Sequence, residues 1–517
     1  VNEFVERLVG SVELALPEVA LIVIACVYFL IAPFLLDTSR DGRSGEGPSY
    51  LKHLWATATL AAIAVAGSLW LRMEPTAEAL PGPFRIDGLS WYVRGLSLAS
   101  AAILTLVAWA RVPAGKAAEF YACLLFICAG TSLVAVANDL VMLFLALELV
   151  SLPTYVLLYL SRHDAAGQEA TLKYFLLSVF SAAVASFGLS YLYGTTGTTD
   201  LVAMKTALAL GANGPMPATL AIGIAAIVAG LAFRLAAAPF HFYAPDVFQG
   251  TSTVGAATLS FIPKAVGIVA LARIIGTPEA LATGGWSLTA VAAPMLAALA
   301  VLSMCVGNLL ALVQTDLRRL LAYSGIAHGG YMLVGLVAMN PTEPGVGLGS
   351  ALFYLASYGA MTVGAFAVLA MLRVRGTTDV DAPANAPVDD RVNTIDDLAG
   401  LGRSQPFAAA LLAIALFSMI GLPPTAGFLG KLNLFVAAWS GGWRWLAIAM
   451  LVNAGIAAYY YLRVLGSMYL RPTANVDRRS VEWPALAGGT LCAAATIGLF
   501  AAPDWLWQAL RATGNDL

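Results

Sequence analysis

Along this 517-residue chain, long apolar runs alternate with short polar stretches, and that alternation carries the first structural information. A helix needs about 20 mostly apolar residues to cross the hydrocarbon core of a bilayer. Runs of that kind lie near 17–36, 54–72, 91–110, 118–137, 140–160, 170–194, 217–243, 252–275, 288–313, 319–339, 348–372, 406–439, 443–469 and 482–502. Nowhere is a period-two alternation sustained, so strands are not expected. The pattern predicts an all-α, polytopic membrane protein with about 14 transmembrane helices.

Two of the runs are overlong and interrupted. The seventh contains "RLAAAPFHFYAPDVFQG" (234–250), with Pro239 and Pro245. The twelfth contains "GLPPTAGFLGKLNLF" (421–435), with Pro423 and Pro424. Proline removes a backbone donor and clashes with the preceding turn. Inside a membrane the freed carbonyls are tolerated where protein or a watery cavity surrounds them. Paired broken helices at corresponding places point to inverted repeats around an ion pathway. The expected division is therefore three N-terminal helices (1–115), a first five-helix repeat (116–276, runs four to eight) and a second (287–470, runs nine to thirteen). The second repeat contains a loop at 374–405, and a final helix follows (471–517).

The loop charges supply an orientation. Arg40, Arg43 and Lys52, then Arg111 and Lys116, Arg162, Arg318 and Arg319, Arg373, Arg375, Arg391 and Arg403, and Arg471, Arg478 and Arg479 all fall on alternate loops. The loops between them are poorer in positive charge, with Asn138, Asp139, Lys205, Glu279, Glu343 and Arg444. Lys and Arg in short loops mark the cytoplasmic side, which puts both termini outside. The acidic front of the first run (Glu3, Glu6, Glu13) and its full spanning length argue against a cleavable signal. Val1 stands where Met would begin a chain, so the true start is open.

Composition agrees with the pattern. Apolar residues make up 60% and charged residues 11%, mean hydropathy is +0.81, and the formal charge of −2 suggests no nucleic-acid partner. Cys26, Cys123, Cys128, Cys305 and Cys492 are scattered through apolar runs. Without a CxxC or a Cys/His cluster, neither an iron–sulfur cluster nor a structural zinc has ligands here.

In so apolar a chain, charges inside the runs are informative. Glu148, Lys173, Arg234, Lys264 and Lys431 each sit within a run. A Lys or Arg at the bilayer centre costs roughly 3 kcal/mol on insertion scales, so such residues mark pathways or partners. Lys173, near its helix start, either snorkels to the interface or joins the buried row. Glu148 and Arg234 either form a purely structural ion pair or take part in transport. Lys264 and Lys431 have no obvious acidic partner, and a desolvated lysine can take up and release a proton. His241, in the interruption of run seven, and His328, in "LLAYSGIAHGGYML", either bond a carbonyl or relay protons. His53 and His163 lie at helix ends and have no expected role. The acidic stretch with Asp379, Asp381, Asp389, Asp390, Asp396 and Asp397 suits a solvated loop or docking surface better than a cation site. A row of titratable groups across several helices is suited to carrying protons, and no nucleophile–base pair, phosphate loop or metal cluster competes with that reading.

Several stretches are familiar: "LALELVSLPTYVLL" (145–158), "EATLKYFLLSVFSAA" (169–183), "APFHFYAPDVFQG" (238–250), "LRRLLAYSGIAHGGYM" (317–332), "IDDLAGLGRSQP" (395–406) and "GLPPTAGFLGKLNLF". They resemble subunit N of bacterial NADH–quinone oxidoreductase, respiratory complex I, and the "ELVSLPTY" form favours N over its L and M siblings. The resemblance implies an antiporter-like membrane-arm subunit with no redox cofactor of its own. NAD(H), FMN, iron–sulfur clusters and quinone are then expected in other subunits, with K and M as neighbours in a bacterial inner membrane. The family's buried glutamate falls on Glu148 and its lysines on Lys173, Lys264 and Lys431. Its helix-seven lysine falls on Arg234, a departure. Arginine effectively cannot give up its proton, so Arg234 suits a fixed counter-charge and not a proton carrier. Two other readings stay open: a subunit of an Mrp-type cation/proton antiporter, and a structural membrane-arm subunit without transport.

Overall fold

A computed structural model describes residues 12–37, 49–75, 82–109, 111–162, 164–210, 216–276, 288–339, 344–372, 392–472 and 482–513. Residues 235–243 of the seventh run are not helical, but each apolar run contains one or more helices. In chain order these are α1 (Leu16–Asp37), α2 (Ser49–Trp70), α3 (Gly88–Trp109), α4 (Ala117–Val136), α5 (Leu140–Ser161) and α6 (Ala165–Thr196). There follow α7 (Leu201–Leu210), α8 (Ala218–Arg234), α9 (Ala244–Gly250), α10 (Thr253–Ile275), α11 (Leu288–Leu312), α12 (Leu317–Val337) and α13 (Pro344–Met371). The chain ends with α14 (Leu401–Ser404), α15 (Pro406–Ile420), α16 (Ala426–Ser440), α17 (Arg444–Leu470), α18 (Trp483–Ala501) and α19 (Asp504–Thr513).

Among the described residues, 12 helices are each long and apolar enough to cross a membrane, or up to 13 if the bent pair that ends in α15 counts as one span. The chain is thus a multi-pass membrane protein. The seventh and twelfth runs are the broken ones. The seventh was expected as one interrupted helix over 217–243. Instead α8 stops at Arg234, and its continuation α9 begins only at Ala244. Between them Ala236 takes a left-handed φ of 52° and the Ala238–Pro239 peptide is cis. The twelfth run splits at Gly421, whose φ of 88° suits glycine, and at the cis Pro423–Pro424 peptide. The fragments nest closely: a Cβ on Gly427 of α16 would run into the Ser418 carbonyl oxygen of α15.

Burial is graded from centre to edge. α10 is enclosed along its whole length, and α4, α12 and α13 nearly so. They are apolar on every face because every face meets protein. The outer helices turn large apolar side chains away from the chain, among them Leu30, Phe34, Phe180, Leu451 and Leu470, as expected where lipid or another subunit is the solvent. Small residues set the closest helix contacts. A Cβ on Gly307 of α11 would reach 2.7 Å from the backbone of α12.

Two buried ion pairs secure the N-terminal helices. Arg94 of α3 binds both carboxylate oxygens of Glu18 on α1, at 2.7 and 2.9 Å, and Ser132 of α4 donates to the same carboxylate. Arg273 at the end of α10 grips Asp87, just before α3, at 2.5 and 2.7 Å, and donates to the Ala135 carbonyl of α4. Neither pair was picked out from sequence, because each joins residues far apart in the chain. Two 10-residue helices also escaped the pattern, being half the spanning length: α7 and the amphipathic α19. α19 packs on α3 and α13, with Leu506 and Leu510 buried and Trp505 exposed.

Candidate functional site

The breaks aim backbone and side chains toward a buried row. At the end of α8 the Leu231, Ala232 and Phe233 carbonyls accept from the backbone N–H groups of Leu235, Ala237 and Ala236, and the last residue of the helix is Arg234. Its Nη2 is 3.1 Å from Glu148 Oε1 on α5, and its Nη1 donates to Ser151 Oγ one turn further on, at 2.8 Å. Arg234 is 8% exposed and Glu148 23%, so the pair sits at the flank of the chain, with the acid toward the outside.

The next helix inward is α10. Its Gly267 comes so close to the break after α8 that a Cβ there would meet the Leu235 side chain at 2.9 Å. One turn before it is Lys264, whose Nζ, among the described residues, donates to the Ser260 carbonyl of its own helix, at 3.2 Å, and faces the Tyr358 ring at 5.7 Å. Lys431 lies on α16. Its Nζ donates to the Met419 and Ile420 carbonyls at 2.8 and 2.9 Å and stands 5.0 Å from the centre of the Tyr331 ring. Those carbonyls end α15 and are free because Gly421 and the two prolines interrupt the helix. Among the described residues no carboxylate pairs with either lysine.

His328 of α12 stands between the lysines. Its Nδ1 is 2.5 Å from the Tyr354 hydroxyl and its Nε2 is 3.1 Å from the Tyr461 hydroxyl, which also bonds Ser324. Its ring centre is 5.1 Å from that of Tyr358 and 5.7 Å from that of Tyr331. The row therefore reads Lys264, Tyr358, His328, Tyr331, Lys431, with successive contacts of 5.7, 5.1, 5.7 and 5.0 Å. A side branch leaves Tyr331: Asn308 lies 3.4 Å from its hydroxyl and bonds Asn453 and Tyr460.

Lys173 and His241 stand apart from this row. Lys173, 40% exposed, bonds Glu169 at 2.7 Å and Asp246 of α9 at 2.9 Å. His241 is half-buried in the break after α8, and its Nδ1 has no partner. His53 Nδ1 accepts from Trp109 at 2.8 Å, and His163 lies outside the described residues. Of the acidic stretch, Asp396 pairs with Arg471 and Asp397 accepts two backbone N–H groups; the other four aspartates lie outside the described residues. Among the described residues no three His, Cys, Asp or Glu side chains converge as a cation site.

The tyrosines were not anticipated. Tyr354 and Tyr358 are one turn apart on one face of α13, a spacing visible in the sequence. What they touch depends on which face of α12 meets them.

Broken helices, buried unpaired lysines and a histidine between them define an antiporter-like membrane protein. The family described as NADH:quinone oxidoreductase/Mrp antiporter, TM, matches residues 137–457. NADH-quinone oxidoreductase subunit N 1 of Solibacter usitatus is 35% identical over 95% of this chain and 95% of its own length. A chain of respiratory complex I from Thermus thermophilus with bound aureothin superposes with a TM-score of 0.76 at 32% identity, covering 96% of this chain and 99% of that one. A chain of the Mrp complex from Dietzia shares the fold at a TM-score of 0.76 and 19% identity, over 97% of each chain. The chain belongs to the family of NADH-quinone oxidoreductase subunit N.

Proposed function

We propose that this chain is the antiporter-like subunit N of a bacterial NADH–quinone oxidoreductase. It moves protons across the inner membrane while quinone is reduced elsewhere in the complex. The proposed partners are the other membrane-arm subunits, K and M flanking it, and all redox groups belong to other subunits. The observation that carries this reading is the buried row from Lys264 through Tyr358, His328 and Tyr331 to Lys431, with no carboxylate at either lysine among the described residues. A purely structural lysine so deep would need a fixed counter-ion.

In this scheme the Glu148–Arg234 pair is the control element. Closed, it is nearly neutral; opened, it presents separated charges to Lys264 through the thin Gly267–Leu235 contact. Moving one charge against 100 mV costs about 2.3 kcal/mol. Breaking a buried ion pair involves about 3–5 kcal/mol, so the pair is large enough to drive the step. Arg234 stays cationic throughout. It modulates the field, while Lys264, His328 and Lys431 pass the proton. The carbonyls of the two breaks give water places to bond. The scheme includes 14 spanning segments in two inverted repeats, both termini outside, with the loops holding Arg162, Arg318 and Arg319 in the cytoplasm.

The test is the proton-to-electron ratio of the assembled complex in proteoliposomes. Lys264→Ala and Lys431→Ala should each lower it while the subunit still inserts. An unchanged ratio in both variants rules the scheme out.

A further inference from the structure

On the face with Arg162 and Arg319, a polar cavity of about 420 Å³ opens between α6, α9 and the start of α12. Its floor is the end of α9 at Gly250, and its rim is held by one carboxylate shared between two cations. Asp246 Oδ2 accepts from Lys173 of α6 at 2.9 Å, and Asp246 Oδ1 accepts from Arg319 of α12 at 2.6 Å. Lys173 is also held on its own helix by Glu169 at 2.7 Å, whereas Arg319 reaches a second α9 residue, Gln249, at 3.1 Å. Asp246 belongs to α9, the short piece stranded beyond the broken seventh run. That piece is packed through buried Val247, Phe248 and Gly250, and these side-chain contacts tie its polar face, with Arg162 adding a bond to the Gly250 carbonyl at 3.3 Å.

Behind the floor, polar groups continue inward. Thr251, directly after Gly250, is 2% exposed, yet among the described residues its hydroxyl has no hydrogen-bond partner. Arg318 donates to the Thr251 carbonyl and to Thr253 Oγ1, both at 2.8 Å. Thr253, Ser260 and Lys264 lie on one face of α10 by the helical period, and the Ser260 carbonyl already holds the Lys264 amine at 3.2 Å. An unsatisfied buried hydroxyl between a wet cavity and a buried amine is the kind of group a water comes to satisfy.

We propose that Asp246 is a positioning residue that latches this mouth. While it bridges Lys173 and Arg319, α9 is pinned over Thr251. When the bridge opens, water reaches Thr251 and the α10 face that leads to Lys264. The proposal rests on the proton-carrying reading of Lys264, but its test reads water access and not pumping, so either can fail alone.

The assembled complex carrying Thr251→Cys is treated, in membranes with the arginine-rich loops exposed, with a small charged methanethiosulfonate. Native Cys492, buried on α18, reports any general loosening. With Asp246 intact, Cys at 251 should react slowly. Asp246→Asn removes both charge-assisted bonds and should speed its labelling by about tenfold or more, with Cys492 unchanged. Asp246→Glu should restore slow labelling. Should the Asn variant not assemble, Arg319→Gln removes one arm and should raise the rate by a smaller factor. Equal labelling rates at 251 with and without the bridge, or a parallel rise at Cys492, overturns the proposal.

Discussion

The Lys431 amine stands 5.0 Å from the centre of the Tyr331 ring, while its hydrogen bonds go to the free carbonyls of Met419 and Ile420. The ammonium is thus met by partial charges alone: two carbonyl dipoles and one π face. A cation–π contact of this desolvated kind is worth about 2 kcal/mol, too little to hold a proton permanently and enough to favour a place for it. Tyr331→Phe keeps the ring and loses only the hydroxyl near Asn308. Tyr331→Leu loses the ring as well. Proton pumping by the assembled complex should fall modestly in the first and much further in the second. Equal effects would assign the role to the hydroxyl.

Arg234 offers a sharper contrast. Arg234→Lys keeps a cation against Glu148 and should retain coupled activity. Arg234→Ala leaves the glutamate without its partner, at a cost of about 3–5 kcal/mol for a buried pair, and should uncouple or misassemble the complex. A fully active, normally coupled Ala variant removes both the structural and the control role.

His328 touches two hydroxyls, and both ring nitrogens are engaged. His328→Leu breaks the row at its centre. NADH-driven pumping should drop about tenfold, less than the roughly 10²–10⁴-fold that a positioned proton-transfer group contributes, because parallel water paths remain. Tyr461→Phe, which leaves Tyr354 in place, should do less. Retained pumping in the leucine variant would place the route elsewhere.

The Glu18–Arg94 pair predicts a structural effect alone. Glu18→Gln leaves a buried guanidinium uncompensated and should lower the unfolding midpoint measured by intrinsic tryptophan fluorescence, in line with about 3–5 kcal/mol. Replacing both residues by leucine should recover most of the loss. Pumping per assembled complex should stay as in the parent.

Gly427→Ala tests the break itself. Its Cβ would run into the Ser418 carbonyl oxygen, so α15 and α16 must separate and Lys431 must leave its carbonyl pair. Reduced amounts of assembled subunit on native gels, and lower pumping in what remains, are expected. Ordinary assembly would show that the two fragments can yield.

Hydropathy was enough to locate the 12 long apolar helices among the described residues, because a bilayer imposes one length and one polarity on every span; the 10-residue α7 and α19 were too short to show in it. Proline did the same for the breaks, since its missing donor acts wherever it stands. Unusual charges within such runs drew attention to Glu148, Arg234, Lys264 and Lys431 for the same reason. Only the tertiary structure could decide what surrounds them. The sequence left Lys173 between the interface and the row; it is tied into a half-exposed network with Glu169 and Asp246. Tyr354, Tyr358 and Tyr461, ordinary aromatic residues in an apolar chain, turned out to face His328. Which side of a helix meets which neighbour depends on close packing between segments hundreds of residues apart, and a one-dimensional pattern of hydrophobicity, nearly uniform around the buried helices α10 and α12, carries no signal of that choice.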